Sequence, residues 1–125
     1  TDFVAKTDSF HIFAKDVAMQ VAAANPLTVS REQIDNVIID KERNIYLEQA
    51  KALGKPEKVL DKIVEGKIEK YYQEKCLLEQ AFIKDNDKTV QDILTETVAS
   101  LGENISISRF TRYEVGEGLV SNGEG

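Results

Sequence analysis

The chain has 125 residues and a mass of 14.0 kDa, the size of one ordinary domain, and its 42% hydrophobic content is enough for a single core. Sixteen Lys and Arg against twenty-two Asp and Glu leave a net charge of −6 and a pI near 4.8, which excludes a basic face for nucleic-acid phosphates and fits a protein partner or a cationic surface. One Cys and one His exclude a structural zinc site, which takes about four such ligands, and exclude a disulfide within the chain; Cys76 alone points to a reducing compartment.

The chain opens Thr-Asp-Phe-Val, without the basic and apolar regions of a secretory signal and without an initiator Met, as expected of a processed or excised piece. Phe10, Phe13, Ala14, Val17, Ala18 and Val21 recur at i, i+3, i+4, i+7, i+8 and i+11, which predicts a helix over 10–24. Thr7, Asp8 or Ser9 can cap it, and Asn25-Pro26 ends it. Its most apolar stretch, Val17 to Ala24, is broken by Gln20 and falls far short of the roughly 20 residues of a membrane span.

Leu27-Thr28-Val29 alternates like a brief strand, and Ser30-Arg31-Glu32-Gln33 has the form of a capping box. Ile34, Val37, Ile38, Ile45 and Leu53 then make a sparse helical stripe, so much of this helix is expected to be wet. Gly54 closes that helix and Pro56 opens the next, which runs to about Leu78 with Val59, Leu60, Ile63, Val64, Ile68 and Tyr71 on one side. Its other side mixes Lys58, Asp61, Lys62, Glu65, Glu69 and Lys70, whose opposite signs cancel locally. Two long half-polar helices around a short turn predict a protruding antiparallel hairpin over 31–78. Gly66 within it is expected to permit a close backbone approach.

Ala81-Phe82-Ile83 is a strand candidate ended by the turn-like Asp85-Asn86-Asp87. Val90, Ile93, Leu94, Thr97, Val98 and Leu101 predict another helix, stopped at Gly102. Ile105 to Glu114 is the best strand pattern, and the tail over 116–125 holds four of the seven glycines and reads as flexible. The sum is one α+β domain over 1–125, with a small antiparallel three-stranded sheet, packed helices and the hairpin.

Little catalytic chemistry is available. His11 has no nearby Ser, Cys or carboxylate pair, and Cys76 beside Leu77 and Leu78 suits a buried core position or, alternatively, a subunit contact. Gly116-Glu117-Gly118 lacks the third glycine and the helix of a phosphate loop, and Asn104-Ile105-Ser106 is a chance glycosylation acceptor in a chain with no secretory signal. No cofactor is expected. The opening segment Thr1 to Lys6, with no helical pattern, instead sets the aromatic Phe3 beside Asp2. Such a pair either packs beneath the domain or anchors an interface.

That segment, Thr1-Asp2-Phe3-Val4-Ala5, resembles the signature of translation elongation factor Ts. Further similar blocks follow in order: Val17 to Pro26, Gly54 to Lys58, Ile63 to Lys67, Leu77 to Ile83, Lys88-Thr89-Val90, and Arg109-Phe110 through Gly118. The resemblance covers essentially the whole chain. It implies a guanine-nucleotide exchange factor for the GTPase elongation factor Tu, acting by protein–protein binding rather than as an enzyme, in a bacterial cytoplasm or an organelle. Asp2 and Phe3 are then the residues set against the GTPase near its magnesium and phosphate elements, with Thr1 and Val4 shaping the segment and Met19 and Gln20 as weaker contacts. The family's N-terminal helical domain and first core subdomain have no counterpart in this chain. It therefore resembles the short forms, which homodimerise through their sheets. The competing expectation is a dimerising or interacting fragment that no longer promotes exchange.

Overall fold

The computed structural model describes residues 2–102 and residue 107, with side chains from Lys6 onward. Helix α1 (Asp2–Ala24) leads through a 3₁₀ turn at Arg31–Gln33 to α2 (Asn36–Ala52) and α3 (Glu57–Lys75). A second 3₁₀ turn at Leu77–Glu79 enters the hairpin β1 (Ala81–Phe82) and β2 (Asp85–Thr89), and α4 (Val90–Leu101) follows directly. The architecture is α+β and mostly helical.

Helix α1 begins eight residues before the expected Phe10, because no Pro or Gly interrupts residues 2–24 and Asp2 favours the positive end of a helix dipole. It stops as expected: Asn25 takes a left-handed φ of 52°, its N–H donates to the Val21 carbonyl at 3.0 Å, and Pro26 follows. The Ser30 box opens only a 3₁₀ turn. Gln33 turns back so that its carboxamide oxygen accepts from the Val29 N–H at 2.9 Å, and the chain extends at Ile34. Asp35 then caps α2 afresh by accepting from the Val37 N–H at 2.9 Å.

Helices α2 and α3 pack on one another, and a tight link joins them. Leu53 is the last half-helical residue, Gly54 sits at φ 77°, and the N–H groups of Gly54 and Lys55 donate to the Lys51 and Ala50 carbonyls at 2.9 and 3.2 Å. This pair of bonds is a Schellman motif. The apolar stripe read from the sequence is mostly not the face that α2 buries. Ile39 and Ala50 are buried, with Tyr46 and Leu47 packed against the same core, whereas Val37, Ile38, Ile45 and Leu53 stay exposed. On α3 the expected face holds, with Leu60, Val64 and Ile68 buried.

The two helical glycine positions behave oppositely. A Cβ at Gly66 would meet nothing within 4 Å, so no close backbone approach occurs there. Gly66→Ala should stabilise the chain by about 1 kcal/mol through helix propensity. Gly54→Ala, also in open space but locked at positive φ, should cost about 1 kcal/mol. Urea titrations of the two variants should therefore move the midpoint in opposite directions.

Asp85-Asn86-Asp87, read as a turn, belongs to β2; the turn itself is Ile83-Lys84. β1 and β2 pair antiparallel, Ala81 with Thr89 and Phe82 with Asp85, with an irregular register between the two. The sheet has two strands among the described residues; of the expected third strand over 105–114 only Ile107 is described, and the tail over 116–125 lies outside them. Leu27-Thr28-Val29 forms only an isolated parallel bridge, Thr28 to Cys76. Thr89 caps α4 by accepting from the Asp92 N–H at 3.1 Å, and Gly102 ends it at φ 73°.

Two cores result. One lies within the hairpin around Ile34, Ile39, Val64, Ile68 and Cys76; the other lies in the body around Val21, Leu77, Phe82 and Val90, with Ile107 packed against it. Cys76 and Leu77, consecutive and fully buried, connect them.

Candidate partner interface

Of the residues expected at an interface, Asp2, Phe3, Val4, Met19 and Gln20 lie on α1, but the helix does not gather them into one patch. Thr1 lies outside the described residues, and of Asp2, Phe3 and Val4 the structure describes the helical backbone. The opening segment is thus the first turn of α1, not an irregular lead-in. Met19 follows seventeen residues after Asp2, about 25 Å along the axis at roughly 1.5 Å per residue. At 43% exposure it offers its thioether to solvent.

Gln20 has no surface to offer. It is fully buried, and its carboxamide makes three bonds across the body. Its Oε1 accepts from the Ile83 N–H at 2.9 Å, while its Nε2 donates to the Ala81 carbonyl at 3.0 Å and to Gln80 Oε1 at 3.1 Å. Ala81 lies in β1 and Ile83 opens the turn after it, so Gln20 grips the hairpin backbone on both sides of Phe82. Gln80 continues the chain of amides by donating to the Glu74 carbonyl at 2.8 Å. In place of a direct contact, Gln20 holds the β-hairpin against α1.

The other candidates resolve simply. His11 is exposed, its ring tilted against Phe10 at 6.3 Å. Cys76 has no exposed surface, and burial pushes its thiol above the ordinary cysteine range, so it is a core residue rather than a reactive one. Among the described residues, no group of three or more His, Cys, Asp or Glu could hold a metal ion, and no helix is long and apolar enough to cross a membrane.

One cluster escaped the sequence reading. The Arg31 guanidinium forks onto Glu79, at 2.8 and 2.7 Å, and onto Glu69, at 3.1 and 3.0 Å. Its Cζ lies 4.2 Å from the centroid of the Tyr72 ring. Its hydrogen bonds to Glu79 and then Glu69 hold the guanidinium far above its ordinary range, and the bond to Arg31 holds Glu69 below the usual carboxylate range. The partners are 38 and 48 residues away, so no local spacing could reveal them.

Two open clefts flank the hairpin. One of about 810 Å³ runs past Gln20, Glu74, Gln80, Ile83, Lys88 and Gln91. The other, about 420 Å³, lies over Phe13, Phe82 and Ile93 beside the Asp16–Lys84 ion pair of 3.1 Å.

The family model described as Elongation factor TS matches residues 11–117. The elongation factor Ts of Alkaliphilus oremlandii is 56% identical over 124 residues, covering 99% of this chain and 57% of that protein. Those of Syntrophomonas wolfei and Thermoanaerobacter pseudethanolicus are 56% and 57% identical, over 95% and 98% of this chain and 56% and 60% of their own lengths. The chain thus spans somewhat over half the length of the curated relatives it matches. With the family's match extending from the middle of α1 to beyond α4, the chain belongs to the elongation factor Ts family.

Proposed function

We propose that the chain promotes release of GDP from elongation factor Tu through the Asp2-Phe3 segment at the head of α1. The observation that carries this reading is family membership over residues 11–117, joined to the signature Thr1-Asp2-Phe3-Val4-Ala5 just upstream. The physics is linkage. A factor that binds the nucleotide-free GTPase more tightly than the loaded one must weaken nucleotide binding by the same factor. Phe3 supplies apolar burial that wedges a helix of the GTPase aside, and Asp2 competes for the groups that order its magnesium site. Met19 adds a contact farther along the helix. Each tenfold of nucleotide weakening requires roughly 1.4 kcal/mol of differential binding.

The test is release of a fluorescent GDP analogue from elongation factor Tu. The chain should accelerate it in proportion to its concentration; no acceleration at saturating chain would favour a fragment that only associates. We further propose that the chain forms a homodimer. Light scattering at micromolar concentration should give twice the 14.0 kDa chain mass, and a clean monomer would contradict it.

A further inference from the structure

The hairpin meets the body at a narrow neck. Its backbone bonds run between residues 27–29 and 75–78: Leu27 N–H to the Lys75 carbonyl at 2.8 Å, Leu77 N–H to the Thr28 carbonyl at 2.8 Å, and Leu78 N–H to the Val29 carbonyl at 3.1 Å. Cys76 of the hairpin core and Leu77 of the body core are consecutive residues at this neck. From this pivot α3 reaches about 28 Å, being 19 residues at roughly 1.5 Å each. A rotation of ten degrees at the neck would carry the far end by about 5 Å.

Arg31 stands off that pivot. It belongs to the turn that leads into α2, so it is fixed to the root of the hairpin. Glu69 lies on α3 about 9 Å along the axis from its end, whereas Glu79 lies in the turn that enters β1, on the body side. We propose that Arg31 is a strut that sets the angle between the α2–α3 hairpin and the body, by holding Glu69 and Glu79 on one guanidinium stacked over Tyr72. Lys could not replace it, because the arrangement uses a planar fork toward two carboxylates and a flat face toward a ring. Removing Arg31 does more than delete a bond: it leaves two carboxylates facing each other across the neck. The groups are partly exposed, with side-chain exposure of 36% for Arg31, 55% for Glu69 and 25% for Glu79, so the strut governs orientation more than global stability. This inference is independent of the exchange reading.

The angle can be read directly. Spin labels at Lys55→Cys in the hairpin link and Gln91→Cys on α4 report the distance from tip to body, while fully buried Cys76 stays unlabelled. The parent chain should give one narrow distribution. Arg31→Met should broaden it and move its mean by about 5 Å or more, with Arg31→Lys between the two. Glu79→Gln, which weakens only the body side of the fork, should broaden it as well with an unchanged circular dichroism spectrum. A distribution in Arg31→Met that matches the parent overturns the proposal. If Arg31→Met does not fold, a parent-like distribution in Glu79→Gln overturns it equally.

Discussion

Replacing Asp2 and Phe3 together by Ala should reduce the acceleration of GDP release from elongation factor Tu by at least about a hundredfold, while the chain stays folded. Burial of a Phe ring in an interface contributes about 2 kcal/mol, and a hydrogen-bonded carboxylate contributes a similar amount. Even with imperfect additivity, about 2.7 kcal/mol of lost coupling is a hundredfold. The fold should not pay for the change. Among the side chains described, from Lys6 onward, burial on α1 starts at Phe13, and Val21 of the body core follows Asp2 by nineteen residues. Loss of Asp2 removes a charge of the sign favoured at a helix N-terminus, about 0.3–1 kcal/mol. Circular dichroism and a urea midpoint would verify this. Phe3→Ala and Asp2→Ala separately would divide the effect between wedge and carboxylate. If the double variant accelerates release as the parent does, the segment has no part in exchange, whatever the rest of the chain does.

What the sequence made legible was the set of elements whose signals are local. Asn25-Pro26, Gly54 and Gly102 stop their helices through backbone conformations that a single residue decides, and α3 and α4 bury the faces that their spacing implies. What stayed hidden depends on residues far apart in the chain. Helix α2 carries apolar residues on two sides, and only α3 decides that Ile39 and Ala50 go in while Val37, Ile38 and Ile45 stay out. Asp85 to Asp87 have the composition of a turn, yet β2 already starts at Asp85, paired with Phe82, because Ile83-Lys84 makes the turn. At the candidate interface the pattern repeats. The opening signature is visible as a string of residues, but its helical backbone and its separation from Met19 are consequences of an uninterrupted α1. Gln20 and Arg31 read as ordinary polar residues, since their partners lie about sixty and forty residues away.

Gln20 shows how much rests on one such residue. Gln20→Ala should destabilise the chain by about 3 kcal/mol, against less than about 0.5 kcal/mol for the neighbouring Met19→Ala. The substitution removes the Gln20 partner of three groups: Gln80 Oε1, which is buried, and the Ile83 N–H and Ala81 carbonyl, which are partly buried. Each unmet buried group costs about 1–3 kcal/mol, reduced here where the adjoining cleft admits water. Gln20→Glu should be no rescue. It keeps an acceptor for Ile83 but sets a carboxylate against the Ala81 carbonyl and Gln80 Oε1, which need donors. Urea titration gives the stability difference, and hydrogen exchange at the Ile83 amide shows whether the loss begins at the β-hairpin. Exchange on elongation factor Tu then separates the two residues functionally. Met19→Ala should weaken association with the midpoint unchanged, whereas Gln20→Ala should lose activity only in step with the folded fraction. Equal urea midpoints for the two variants would mean that the β-hairpin does not depend on the Gln20 carboxamide.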